Sequence, residues 1–168
     1  MPVVHALLAA GARLDVGDAS DSVLHMVAAT CSPQALSFVL SRISQPTTAH
    51  ANAALLLATG VKNCLHSAAI STSLLAAGAS ASAAGEDGHS ALMRAAAARG
   101  SGAFQVLLQA GANLSTTSAD GANAFVVALM ERNEDALQLL RPHVTAAMAN
   151  PRSDVGQPAL VAVATDLR

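Results

Sequence analysis

The stretch Gly85–Ala112 and the stretch that lies 33 residues after it share one pattern of residues. Gly121 follows Gly88 at this interval and Leu140 follows Leu107, so the two stretches align without a gap. In the first stretch, a turn cluster leads into an Ala-rich helix, a break and a second helix that Gly111 ends. Glycine suits the position after a helix because it adopts a positive φ without Cβ strain. A fixed period of about 20–50 residues is the sequence signature of a stacked repeat protein.

The apolar spacing predicts that each repeat is a pair of short helices. The pattern places helices in turn at residues 1–12, 22–29, 33–40, 52–59, 63–77, 91–98, 103–110, a segment containing 136–140, and 158–166. Gly100 and Gly102 mark the predicted break between the helices at 91–98 and 103–110. Ser32 and Pro33 predict a capping residue followed by proline at the first helical position.

The stretch from Pro46 to Ser73 is the hardest to assign. The string from Cys64 to Ala69 is similar to the start of a first helix, but only nine residues separate Leu65 from Leu74. That distance is too short for a helix, a turn and another helix, so we expect a break at Gly60 and a second helix lengthened by one turn. The irregular spacing also predicts that Pro46 to Asn63 is the softest part of the chain.

The repeated residues resemble the ankyrin repeat, D-x-x-G-x-T-P-L-H-x-A-A followed by L-L-x-x-G-A. The strings that carry the resemblance are Leu7–Ala12, Leu74–Ala79 and Leu107–Ala112 for the second half of the pattern, and Val23–Ala28 for the first. The resemblance covers nearly the whole chain. It implies an all-α, ankyrin-like helix-turn-helix solenoid with short hairpin loops.

This interpretation makes residues 1–168 a single repeat array with a partial repeat at each end. Its divisions are 1–19, 20–49, 50–84, 85–117, 118–152 and 153–168. A solenoid usually carries polar terminal repeats, because an end helix otherwise exposes its stacking surface. Leu7 and Leu8 near one end and Leu160 and Val161 near the other are apolar. We therefore expect this chain to be a segment of a longer protein, or another chain to cover its ends.

Charge and composition exclude several classes of partner. The net charge is −2 and the pI is about 6.3, so no basic surface for nucleic acid is expected. No segment approaches the ~18 consecutive apolar residues of a membrane span, and no signal peptide is indicated. The two cysteines, Cys31 and Cys64, have no metal or redox spacing. We expect buried, inert thiols in a reducing compartment, and hence a cytoplasmic or nuclear protein.

No residue pattern indicates catalysis. The resemblance gives His25 a structural role, hydrogen bonding to the backbone between repeats. The other histidines lack the i, i+4 spacing of a helical zinc site, and the chain has no Gly-x-Ser-x-Gly nucleophile elbow. Gly100-Ser101-Gly102 fits a helix break better than a phosphate loop. We therefore expect no enzymatic activity, cofactor, metal or small-molecule substrate.

The resemblance also implies a binding surface for another protein. In ankyrin repeats, partners bind the concave side, formed by hairpin tips and the outward face of the first helices. Carried over by position, the expected contact residues are Asp18, Asp21, Met26, Thr30, Asp87, His89, Arg94, Ala98, Asp120, Ala122, Val127 and Glu131. Two alternatives stay open: a regulatory segment of a larger enzyme or channel, and a small helical enzyme. A deep pocket joining Arg94, His25 and acidic residues would favour the enzyme.

Overall fold

The computed structural model describes residues 22–43, 46–98 and 101–143, and these residues are all-helical, as predicted. Their eight α-helices are α1 Val23–Ala29, α2 Pro33–Leu40, α3 Thr48–Gly60, α4 Ser67–Ala76, α5 Ala91–Ala97, α6 Ser101–Gln109, α7 Ala124–Met130 and α8 Glu134–Leu140, followed by a 3₁₀ turn, Arg141–His143. The helices predicted at 1–12 and 158–166, and the candidate contacts Asp18 and Asp21, lie outside the described residues.

Short polar side chains begin most of these helices. A side-chain oxygen of the residue before the helix accepts a hydrogen bond from a backbone N–H in the first turn, which would otherwise lack a partner. Pro33 occupies the first position of α2, as predicted. The capping residues are Ser22 for α1, Ser32 for α2, Thr47 for α3, Ser90 for α5, Asn123 for α7 and Asn133 for α8.

The helices contact one another in chain order. Each odd-numbered helix packs on the even-numbered helix that follows it, so that α1–α2, α3–α4, α5–α6 and α7–α8 are pairs. The first helices α1, α3, α5 and α7 also contact successively, as do the second helices α2, α4, α6 and α8. The core between the two sets is formed by leucines, alanines and Phe104, which is fully buried. Alanine allows close approach of the helices, so a thin core suffices.

The hairpin turns before α5 and α7 repeat the same hydrogen bonds 33 residues apart. In the first, the Gly85 N–H donates to the His89 carbonyl and the Gly88 N–H donates to the Gly85 carbonyl, both at 3.0 Å. In the second, Ser118 and Gly121 donate in the same two ways. Gly88 and Gly121 have φ values of 73° and 74°, which non-glycine residues rarely adopt. The sequence period thus corresponds to a repeated local geometry.

The ends of α4 and α6 also share one geometry. Gly78 and Gly111 have φ values of 98° and 77°. In each case the residue after the glycine donates its N–H to the carbonyl five residues earlier, Leu74 or Leu107. This is the bonding of a Schellman C-cap. The prediction that Gly111 ends its helix is therefore confirmed.

The middle of the chain differs from prediction. Helix α3 begins four residues earlier than expected, because Thr47 caps it. Helix α4 begins at Ser67 rather than at 63, so the expected extra turn of the second helix is wrong. Asn63 has a φ of 60° and lies in the turn between α3 and α4. The surplus residues lie in α3 and in this turn. The prediction that no first helix begins at Cys64 is nevertheless confirmed, because Cys64 lies in the turn before α4.

Gly102 lies inside α6 rather than in a break. A Cβ atom at this position would lie 3.1 Å from the Cβ atom of Ala68 in α4. That separation is tighter than ordinary van der Waals contact. The missing side chain therefore lets α6 approach α4 closely.

The expectation of two free thiols is wrong, since Cys31 and Cys64 form a disulfide with a Cα–Cα distance of 5.8 Å. Cys31 lies in the turn between α1 and α2, and Cys64 lies in the turn between α3 and α4. Their sequence separation of 33 equals the repeat interval, so equivalent turns of two neighbouring pairs meet. Disulfides persist in oxidising environments. The cysteines therefore no longer support a reducing compartment.

Candidate partner-binding surface

The expected contact residues on the first helices occupy equivalent positions in successive pairs. Thr30, Ala98 and Glu131 are the C-caps of α1, α5 and α7. Residues four apart lie on one helix face, so each C-cap shares a face with the residue four positions before it. Helix α3, for which no contact was predicted, adds Leu57 and its C-cap Val61. We call the resulting set the first-helix row: Met26, Thr30, Leu57, Val61, Arg94, Ala98, Val127 and Glu131.

Members of the first-helix row differ in how much surface they offer. Met26 is 57% exposed, whereas Ala98 is only 6% exposed, so its side chain has little area for a partner. Val127, Glu131 and Arg94 are half-buried. The row is therefore available mainly through its long side chains.

Met130 lies beside the first-helix row and was missed by the sequence interpretation. It is 62% exposed and follows Val127 by three positions, which places both on the same face of α7. The exposed large apolar side chains of the described residues are Met26, Leu65 and Met130. Two of these three therefore lie at or beside the row, one near each end.

The hairpin tip before α5 brings three predicted contact residues together. Arg94 Nη2 donates to Asp87 Oδ2 at 2.8 Å, and the His89 N–H donates to Asp87 Oδ1 at 3.0 Å. His89 Nδ1 lies 3.5 Å from Asp87 Oδ2. Arg94 is thereby held by a carboxylate from its own tip, while its Nε atom is buried without a hydrogen-bond partner.

The Asp87 carboxyl has a pKa below its ordinary value. Desolvation by burial is the largest influence and raises the pKa, but the remaining influences together outweigh it. They are the hydrogen bond from the His89 backbone, the charge and hydrogen bond of Arg94, and the charge of His89. The carboxylate is therefore ionised at neutral pH and balances the charge of Arg94.

The second tip, residues 118–122, packs against the first. A Cβ at Gly88 would lie 3.0 Å from the Ala119 backbone nitrogen and 3.1 Å from Ser118 Cα. The segments that follow α4 and α6 are also bonded to each other, because the Asn113 N–H donates to Ser82 Oγ at 3.1 Å. Asp120 is exposed and Ala122 half-buried. The two tips thus form one continuous edge that carries Asp87 and Asp120.

Charge is distributed unevenly along the described residues. No Asp or Glu occurs anywhere from Ser22 to Gly85, while Arg42 and Lys62 do. On the described tips and the first-helix row, the acidic residues are Glu86, Asp87, Asp120 and Glu131, which all follow this stretch. The described part of the surface is therefore apolar toward α1 and charged toward α7.

Within the described ranges, His25 and Arg94 do not meet in one pocket. His25 lies on α1 and Arg94 on α5, with α3 packed between these helices. His25 Nδ1 is buried and has no hydrogen-bond partner, so it does not make the expected bond between repeats. A shallow depression lined by Phe125, Glu134, Leu137, Gln138 and Arg141 contains none of the predicted site residues.

Asn133 makes the bond between pairs that was expected of His25. Its Nδ2 donates to the Ala96 carbonyl of α5 at 2.8 Å, while its Oδ1 accepts from the Ala136 N–H at 3.1 Å. Asn133 also follows α7 and closes its last turn, because its N–H donates to the Ala128 carbonyl. Only 4% of Asn133 is exposed. The sequence indicates only the cap, through an Asn before the acidic first turn of α8.

Two further properties concern metals and membranes. Among residues 22–43, 46–98 and 101–143, no group of three His, Cys, Asp or Glu side chains is placed to hold a metal ion. No helix in these ranges combines the length and the apolar character needed to cross a bilayer.

Comparison with known proteins adds no assignment: no family model matches the sequence, and no curated protein matches it.

Proposed function

We propose that this chain is an ankyrin-like stack of helix pairs that recognises another protein through its first-helix row and hairpin tips. The in-order contacts of α1 to α8 support the stack, as do the hydrogen bonds that recur at 33-residue spacing. A pair of short helices cannot bury its own apolar face, and a neighbour on each side supplies the missing cover.

The observation that carries the binding proposal is the position of Met26 and Met130. Both side chains are more than half exposed, and both lie on the outward face of the first helices. Methionine is flexible and polarisable, so it adapts to the surface of a partner. Leu57 and Val127 extend the apolar contact between them.

Arg94 adds a charged contact at the middle of this face. Its hydrogen bond to Asp87 restricts the guanidinium before any partner arrives, which lowers the entropy lost on binding. Arginine is also among the residues enriched at binding hot spots. The face contains no aromatic side chain, so we expect moderate rather than very tight affinity.

The proposal is tested by identifying a partner and then titrating it against surface variants. A photo-crosslinking residue at position 26 of the intact chain would capture candidates, and each candidate would be purified and its Kd measured. We expect Met26→Glu and Met130→Glu each to weaken binding by about tenfold or more, because each puts a carboxylate where an apolar contact is proposed, and burying an unpaired charge costs more than the ~1.4 kcal/mol of a tenfold change. Arg94→Ala should weaken it too.

Leu65→Glu is the matched control, because Leu65 is equally apolar and 92% exposed but lies in the turn between α3 and α4. We expect this variant to bind with unchanged Kd. A partner whose binding is weakened by Leu65→Glu and unaffected by Met26→Glu and Met130→Glu would overturn the assignment of the face.

The proposal keeps a cytoplasmic or nuclear location only because the expected partner is another protein in one of these compartments. The disulfide is an argument against it, and fractionation of cells expressing the tagged chain would decide it.

A further inference from the structure

The Cys31–Cys64 disulfide joins two turns rather than two core elements. Both cysteines are half-buried, and the residues around them include exposed Thr30, Lys62 and Leu65. Reduction of a disulfide requires an attacking thiolate to reach one of its sulfur atoms. The location in exposed turns leaves this approach open.

The cation close to Cys64 in sequence favours such an attack. Lys62 lies two residues from Cys64, and the whole stretch from Ser22 to Gly85 has no carboxylate. Cationic surroundings attract the incoming thiolate and stabilise the cysteine thiolate that leaves. His66, two residues after Cys64, is also exposed.

The bond also lies where packing between neighbouring pairs is thin. Helix α2 packs on α4 less extensively than α4 packs on α6. On the other side of the same pairs, Leu24 and Ala28 of α1 are buried in a broad contact with α3. Covalent linkage therefore supplements the weaker of the two contacts between these pairs.

We propose that the Cys31–Cys64 disulfide is a reversible redox link that controls how firmly α2 is held against α4. The reductant is a dithiol. One thiolate attacks a sulfur of the disulfide, the other cysteine leaves as a thiolate, and the second thiol of the reductant resolves the mixed disulfide. Two electrons and two protons pass to Cys31 and Cys64, and the dithiol becomes a disulfide. Release loosens α2 and the two turns, while α5 to α8 keep their contacts.

The test uses the intact folded chain with dithiothreitol as the probe and no denaturant. Alkylation followed by mass spectrometry reports the thiols, and hydrogen exchange reports each helix. We expect both cysteines to become reactive and exchange across Pro33–Leu40 to rise by about tenfold or more. Exchange across α5 to α8 should stay unchanged, and oxidised glutathione should restore the original pattern.

Variants separate a redox link from a purely structural bond. Cys31→Ser with Cys64→Ser should show the exchange pattern of the reduced chain and no response to dithiothreitol. Lys62→Gln should slow reduction of the otherwise native chain. The proposal is overturned if the bond resists dithiothreitol in the folded chain, if reduction unfolds α5 to α8 as well, or if α2 exchanges equally in both states.

Discussion

Individual polar side chains among the described residues mark the boundaries of helices. Ser22, Ser32, Ser90 and Asn133 each accept a backbone N–H at the start of a helix. Such caps are legible in a sequence, because a small polar residue precedes an apolar periodic run. The second bond of Asn133, to Ala96, was not legible, since it depends on two helices that lie 37 residues apart in sequence.

We predict that Asn133→Ala destabilises the chain by about 2–3 kcal/mol, because the cap is lost and the buried Ala96 carbonyl loses its donor. Ser32→Ala removes a cap and an exposed hydrogen bond to Gln34 Oε1, and should cost about 1 kcal/mol. Urea unfolding of both variants measures the difference. Equal losses would show that the bond to Ala96 contributes nothing.

A second residue-level prediction concerns pH. Because the folded pKa of Asp87 is lowered, its contribution to stability is fully present above the ordinary carboxyl pKa of about 3.9 and is lost as the pH falls through the folded value. Asp87→Asn should therefore be destabilised at pH 7, by no more than about 1 kcal/mol because the pair is half exposed.

Thermal melts of wild type and Asp87→Asn from about pH 2 to about pH 7, a range that includes the whole carboxyl titration, test this expectation. The two curves should converge at the acidic end. A difference that persists unchanged below the folded pKa would mean that the carboxylate charge is not responsible.

At the scale of elements, helix bounds were predicted correctly where apolar and polar side chains alternate clearly, and wrongly where alanine occupies most positions. Helices α1, α2, α5 and α6 were placed to within about two residues, the usual uncertainty of helix ends. Helix α3 is rich in alanine on every side. Ala51, Ala54 and Ala58 are buried, but nothing in the sequence distinguishes them from Ala49 or Ala53. Tertiary packing, rather than pattern, decides which side faces the core.

Which residues contact a partner stays a prediction. The first-helix positions were carried over from the resemblance, but Ala98 is buried, and the exposed Met130 was not among them. The disulfide was also missed, although its signal was present: two cysteines one period apart occupy the same turn of adjacent repeats, and stacking brings such turns together.

Two glycines with similar positive φ values should respond differently to substitution. Gly111→Ala meets open space at a φ of 77° and should cost about 1–2 kcal/mol from backbone strain alone. Gly88→Ala has similar strain at a φ of 73°, and its Cβ also presses on the Ala119 and Ser118 backbone. We expect Gly88→Ala to be clearly the less stable variant in chemical unfolding. The same cost for both would mean that the tips can separate freely.

Across the whole molecule, the burial of α3 argues against the sequence expectation that Pro46 to Asn63 is soft. Leu55 and Ala54 are fully buried, like Leu107 in α6. Exposed side chains lie before α3 and in its first turn, at residues 47–49, and in the turn that follows it, at Lys62, Asn63 and Leu65. The irregular spacing therefore produced a longer helix and a longer turn, not a poorly packed helix.

Native-state hydrogen exchange should show this distribution. We expect the amides of Ala54 and Leu55 to exchange about as slowly as that of Leu107, and amides at residues 62–65 to exchange much faster, because local opening follows burial. Fast exchange throughout α3 would restore the original expectation.

The matching bonds at the tips of residues 85–88 and 118–121 make this chain extensible. A second copy of residues 85–117 placed directly after Thr117 would begin and end at junctions whose backbone geometry already exists in the protein. Asn133 would then donate to the carbonyl of Ala96 in the inserted copy, as it now does in the original. Lengthening by tandem duplication therefore requires no new junction, so a protein of this kind can grow in increments of one helix pair.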